Sequence, residues 1–141
     1  MKKLIILSLF ILGWVTTFCQ NNSNTSDESI RKIIHDKNVA YNKQDWASMK
    51  IFHSDSVKVY EFPNSLRDST ADDLIARYPK TFEKYPNNKI NITDIFIIGN
   101  KAVIKQEVIG RGETFYAINI YEFDNNKIVK IWFISNSSTT Q

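Results

Sequence analysis

From 88 to 135 the chain reads NKINITDIFIIGNKAVIKQEVIGRGETFYAINIYEFDNNKIVKIWFIS, four runs rich in Ile, Val, Phe and Tyr separated by Gly99-Asn100, Gly110-Arg111-Gly112 and Asn125-Asn126. β-Branched and aromatic runs suit a pleated surface, and those junctions suit hairpins. No junction is long enough for a helical crossover, so the spacing predicts one sheet built as a four-strand antiparallel meander. Ahead of it the period changes. Ile30, Ile33, Ile34, Asn38 and Tyr41 recur at helical spacing. They predict a first helix that opens on a Thr25/Glu28 capping box, carries Asp27 in its first turn and ends near Asn42. Asp45 then caps a short second helix with Trp46, Met49 and Phe52 on its buried side. Alternation over 56–62 predicts a strand that Pro63 stops, and 64–68 reads as a polar loop. Ser69 or Thr70 caps a third helix whose stripe is Leu74, Ile75, Tyr78, Phe82 and Tyr85; Pro79 must kink or restart it, and Pro86 closes it. Helices packed on an antiparallel sheet make the fold class α+β.

Two-residue turns would set Asn119 opposite Trp132 on one side and Ile104 on the other. One face then carries Thr93, Ile95, Ile97, Ile104, Gln106, Val108, Phe115, Ala117, Asn119, Tyr121, Ile128, Trp132 and Ile134. The opposite face carries Ile92, Phe96, Val103, Glu107, Tyr116, Ile118, Ile120, Ile131 and Phe133. Both faces are apolar, so each needs a cover. The helices supply one, and a second copy of the chain is the simplest supply of the other, as a homodimer through a sheet face. A three-residue loop at 110–112 would exchange the faces between the two halves of the sheet.

The termini lie outside this domain. Lys2 and Lys3, the apolar run 4–15 and Thr17-Phe18-Cys19 have the layout of a signal peptide over 1–19, which predicts export to the periplasm or secretion. Lipoprotein processing at Cys19 would want a small residue where Phe18 stands, so cleavage after Cys19 is the favoured reading. A polar leader, 20–25, precedes the domain at 26–135, and 136–141 is a polar tail. The mature chain then holds no cysteine, and loss of Lys2 and Lys3 takes the formal charge from +3 to +1. Near-neutral charge and the absence of a basic run argue against a nucleic-acid partner, and no apolar segment after the signal is long enough to span a bilayer.

Chemistry is less legible. His35 and His53 sit on different elements without metal-ligand spacing, so no metal site is expected. His53-Ser54-Asp55 lies together in a turn, where triad geometry is rare. No glycine-rich phosphate loop exists, because three of the four glycines fall in hairpins and Gly13 in the signal.

Local sequence supplies a resemblance. Ala40-Tyr41-Asn42-Lys43-Gln44-Asp45-Trp46 resembles the A-x-N-x-x-D-W junction of the nuclear transport factor 2-like superfamily. Ile51-Phe52-His53-Ser54-Asp55, Phe82-Glu83-Lys84-Tyr85-Pro86 and Asn126-Lys127-Ile128 resemble its lead into the first strand, its third-helix exit and its last hairpin. The match covers essentially all of 26–135, and within the superfamily the chain is most similar to the SnoaL-like branch of polyketide cyclases and relatives of ketosteroid isomerases. That resemblance implies a cone-shaped fold enclosing a small apolar or aromatic molecule, with no cofactor.

Position by position, the isomerase's oxyanion-hole acid falls at Asn119, its first-helix tyrosine at about Lys37, and its general base within 60–62, where only Glu61 could serve. Asparagine donates a hydrogen bond but is no acid. A catalytic reading therefore takes Glu61 as general base in an apolar cone and Asn119 as hydrogen-bond donor. The resemblance makes Tyr41, Tyr78, Phe82, Gln106, Phe115 and Trp132 the ligand-binding lining. Against it stand an exposed strand-end Glu61, an Asn119 satisfied within the sheet, and an aromatic stripe that is plain core. Three functions stay open: a small-molecule-binding module, a cofactor-independent isomerase, cyclase or dehydratase, and a protein-interaction domain with a filled cone.

Overall fold

The computed structural model describes residues 26–135, so the signal, leader and tail expectations fall outside the described residues. Helix α1 (Asp27–Asn42) opens on Ser26, whose side chain accepts from the Ser29 amide. The cap is therefore one residue later than the Thr25/Glu28 box, and serine serves equally well because its oxygen reaches the same orphan amides. Helix α2 (Trp46–Ile51) is capped by Asp45 as expected. Strand β1 (His53–Glu61) begins earlier than its alternation suggested and takes in His53-Ser54-Asp55, which is extended strand and not a turn.

The segment read as a polar loop contains strand β2 (Ser65–Asp68), paired antiparallel with β1. Its four residues carry too little alternation to signal a strand, and the pairing with β1 creates it. The third helix divides at Ala76 into α3 (Ala71–Ile75), capped by Thr70, and α4 (Arg77–Lys84). Pro79 explains the break: it has no N–H for the Ile75 carbonyl one turn back.

Strands β3 (Lys89–Ile98), β4 (Lys101–Ile109), β5 (Phe115–Asp124) and β6 (Lys127–Ser135) form the expected meander. They belong to a larger sheet of six strands in the order β2-β1-β6-β5-β4-β3, in which β1 lies parallel to β6. Asn125 and Asn126 both take positive φ, 47° and 59°, as a two-residue hairpin turn requires. Gly110 is needed for closeness as well as conformation: at φ +82° its Cα lies so near Asn87 that a Cβ would stand 1.9 Å from the Asn87 carbonyl oxygen.

Ile104 pairs with Asn119 as expected, but Asn119 pairs with Phe133 and not Trp132. A bulge at Val129 inserts one residue into β6, and every side chain beyond it changes face. Trp132 and Ile134 therefore leave the Asn119 face, and Ile131 and Phe133 join it. A second bulge, at Thr93, similarly brings Ile92 and Ile90 inward beside Gln106 and Val108 and leaves Thr93 exposed.

The helices cover the inner face, where Ile30, Ile34, Leu74, Ile104, Phe123, Ile128 and Ile131 are essentially buried. Asn42 ties α1 to β3 in the manner of a neighbouring strand, accepting from the Ile90 amide and donating to the Ile90 carbonyl, both at 2.9 Å. That is the physical use of the asparagine in the A-x-N-x-x-D-W junction. A second cluster of Ala40, Tyr41, Met49 and Phe82, flanked by Trp46, packs where α1, α2 and α4 meet. The outer face leaves Phe96, Ile98, Tyr116 and Ile118 exposed.

Candidate functional site

The inner face is not filled throughout. Between α1, α3–α4, the β1–β2 hairpin and the sheet lies a cavity of about 860 Å3, well within the range of small-molecule sites. Its floor is laid by alternation along β4 and β5: Ile104, Gln106 and Val108 on one strand, Phe115, Ala117, Asn119 and Tyr121 on the next. Its roof comes from α1, where Ile34, Lys37 and Tyr41 follow one another at spacings of three and four residues.

A connected polar group stands at one end of the cavity, beside the apolar part of its floor. Lys37 Nζ donates to the Tyr121 hydroxyl at 3.0 Å, and the Asn119 amide nitrogen donates to the same hydroxyl at 3.4 Å and to Gln106 Oε1 at 3.1 Å. Lys37 is 9% exposed, Tyr121 4% and Asn119 2%. Accepting from both neighbours, the Tyr121 O–H has no acceptor among the described residues. Asn119 Oδ1 is buried without a hydrogen-bond partner. Lys37 forms no ion pair with any carboxylate among the described residues.

The rim is charged. Arg67 donates to Glu61 at 2.7 Å and to Asp68 at 2.9 Å, while its guanidinium lies 4.3 Å over the Phe133 ring. Arg77 holds the other oxygen of Asp68 and the Arg67 carbonyl. Glu61 and Asp68 are thus already committed to arginines. At the opposite lip, Arg111 donates to Asn88 Oδ1 at 2.6 Å, and the Asn88 amide donates to the Tyr41 hydroxyl at 2.7 Å.

Six of the sequence-derived candidates, Glu61, Asn119, Tyr41, Tyr78, Gln106 and Phe115, line this cavity. Two do not. Trp132 lies on the outer face, stacked on Tyr60 with centroids 5.8 Å apart, because of the Val129 bulge. Phe82 is buried in the aromatic cluster, 5.3 Å from Tyr41 and 5.4 Å from Trp46. Glu61 is not in the apolar surroundings expected of it: its side chain is 45% exposed and paired with Arg67. Burial, reinforced by the neighbouring Tyr121 and Tyr41, pushes the Tyr78 hydroxyl pKa up, so it stays a protonated donor at neutral pH. His53 takes no part. It is buried with Nδ1 against the Met49 carbonyl at 2.9 Å and Nε2 unpartnered, and burial, then the charge of Lys37, lowers its pKa to about 3.

Sequence reasoning set Lys37 at the isomerase's first-helix tyrosine and Tyr121 on the Asn119 face but counted neither as a site residue, and it gave Arg67 and Arg111 no role. Lys37 did carry a signal, since a lysine three residues after Ile34 and four before Tyr41 lies on the buried stripe of its helix. The arginines carry none, because the four residues of β2 show only loop character in sequence and 110–112 only turn chemistry. Among the described residues no cluster of His, Cys, Asp and Glu could hold a metal, and no helix is long and apolar enough to cross a membrane.

No family model and no curated protein matches the chain by sequence. Solved structures do match it. A protein of unknown function with a cystatin-like fold from Methylobium petroleophilum superposes with a TM-score of 0.72 at 16% identity, covering 84% of this chain and 82% of its own. A candidate ketosteroid isomerase from Kribbella flavida gives 0.69 at 13% identity, covering 84% of each chain. IdmH, a candidate polyketide cyclase from Streptomyces antibioticus, gives 0.66 at 15% identity, covering 77% of this chain and 93% of its own. The chain has the cystatin-like, nuclear transport factor 2-like α+β fold.

Proposed function

We propose that this is an exported protein, periplasmic or secreted, that holds a small molecule with an apolar or aromatic body in the cone between its helices and its sheet. The observation that carries the reading is the cavity of about 860 Å3, lined along the sheet by Ile104, Val108, Phe115 and Ala117, with the buried Lys37–Tyr121 pair at its polar end. A filled cone would leave no such space, so the protein-interaction reading is the weakest of the three. Export rests on the signal-like start of the sequence. Homodimerisation rests on the exposed Phe96, Ile98, Tyr116 and Ile118 of the outer face.

The test is native mass spectrometry of the mature protein purified from its own source, followed by organic extraction. A stoichiometric small molecule supports the reading and gives the ligand class, and the measured mass also reports the start at Gln20 and the oligomeric state. Protein that carries nothing and takes up no apolar dye refutes it.

A second reading is proton-transfer catalysis, as the names of the Kribbella and Streptomyces proteins suggest. Glu61 would be the base, and the hydrogen bond to a developing oxyanion would come from Asn119 or from the Tyr121 hydroxyl beside Lys37. Asn119 already donates to Gln106 and Tyr121, which favours Tyr121 for that role. Once a substrate is known, Glu61→Gln should lower kcat about 100-fold or more, and an unchanged rate removes Glu61 from the mechanism.

A further inference from the structure

The fold encloses a cation without its counter-charge. Lys37 places its ammonium under the roof of the cavity, 9% exposed, and its hydrogen bond is to a neutral phenol. A charge removed from water is ordinarily paired. None of the carboxylates that line the cavity pairs with Lys37: Arg67 takes Glu61 and Asp68, Arg77 takes Asp68 as well, and Asp73 keeps its charge at the head of α3, where it accepts from the Thr70 hydroxyl. Arg111, on the far lip, likewise has no carboxylate among the described residues. The cavity is therefore cationic at its polar end and apolar along the sheet.

Resting on the small-molecule reading above, we propose that the ligand is an organic acid whose anionic group docks against both the Lys37 ammonium and the Tyr121 hydroxyl, with its apolar or aromatic body along Ile104, Val108, Phe115 and Ala117. Lys37 holds Tyr121 from one side and Asn119 holds it from the other, so the hydroxyl is oriented and its own O–H is available to the acid. Two donors converging on one anion form charge-assisted hydrogen bonds, the strongest kind available to a protein. A neutral ligand would leave the ammonium uncompensated.

A matched pair of fluorescent probes tests this: anilinonaphthalene sulfonate, which is anionic, and N-phenyl-naphthylamine, which has the same aromatic body without the acid. The protein is first stripped of bound molecules. It should bind the sulfonate about tenfold or more tightly than the uncharged probe, the value of one charge-assisted contact. Lys37→Met should abolish that preference while keeping the uncharged probe, Lys37→Arg should retain it, and Tyr121→Phe, which removes one oxygen and leaves the ring packing, should reduce it severalfold. Equal binding of the two probes, or a preference indifferent to Lys37 and Tyr121, overturns the acid and leaves the pocket standing. Failure of both probes to bind overturns the pocket itself and the acid with it.

Discussion

Replacing Lys37 by methionine should make the empty protein more stable, the reverse of the usual result for a buried residue that forms a hydrogen bond. Three quantities set the sign. Methionine is unbranched and close to the lysine stem in volume, so the packing of α1 on β5 survives. The bond from Nζ to the Tyr121 hydroxyl is lost, about 1–2 kcal/mol, yet that hydroxyl still accepts from Asn119. Against this, the ammonium no longer has to leave water without a counter-ion, a penalty of several kcal/mol for a dry site. Water in the cavity of about 860 Å3 relieves part of that penalty. The balance is a gain of about 1–2 kcal/mol, or a Tm higher by about 4–8 °C for a domain of this size. Thermal and urea unfolding of wild-type and K37M protein, each refolded from denaturant to remove copurifying molecules, measures it. A Tm equal to or below wild-type, with unchanged cooperativity, would show that the Lys37 ammonium is already satisfied. The case for a ligand counter-charge would then lose its basis.

Other positions give independent checks. Gly110→Ala should cost about 3 kcal/mol or more in urea unfolding, because its Cβ would meet the Asn87 carbonyl at 1.9 Å, whereas Gly99→Ala meets nothing within 4 Å and should cost only about 1 kcal/mol for its positive φ. Equal losses at the two sites would refute the close approach. His53, with its folded pKa lowered to about 3, binds its proton far more readily in the unfolded chain. Its contribution is whole above the unfolded value of about 6.5 and is lost as pH falls toward 3, at about 1 kcal/mol per pH unit. Urea midpoints between pH 7 and pH 4 should show that slope in wild-type protein and a shallower one in His53→Gln, and parallel slopes would contradict the buried neutral ring.

What the sequence determined by itself was whatever depends on neighbours along the chain. The helical stripes of α1 and α2, the Asp45 cap, the break forced by Pro79 and the hairpins at Gly99-Asn100 and Asn125-Asn126 follow from local periodicity and backbone chemistry, whereas of the two turn lengths open at 110–112 the structure has the register that pairs Ile104 with Asn119. Six of the eight candidate site residues line the cavity: Gln106, Phe115 and Asn119 follow from alternation along β4 and β5, Tyr41 and Tyr78 from helical stripes, and Glu61 from the end of β1. Only the tertiary structure decided what depends on residues distant in sequence. The bulges at Thr93 and Val129 leave no mark on an Ile-rich run, yet each reverses the faces beyond it, which moved Trp132 out of the cone and Phe133 into it. Strand β2 exists because β1 offers it an edge, and β1 lies in the sheet because β6 accepts it in parallel. That pairing puts Arg67 beside Glu61 and gives the expected base a permanent partner. Most of all, a lysine on a helical stripe becomes an unpaired charge only when the fold shows that every carboxylate around its cavity is bound elsewhere.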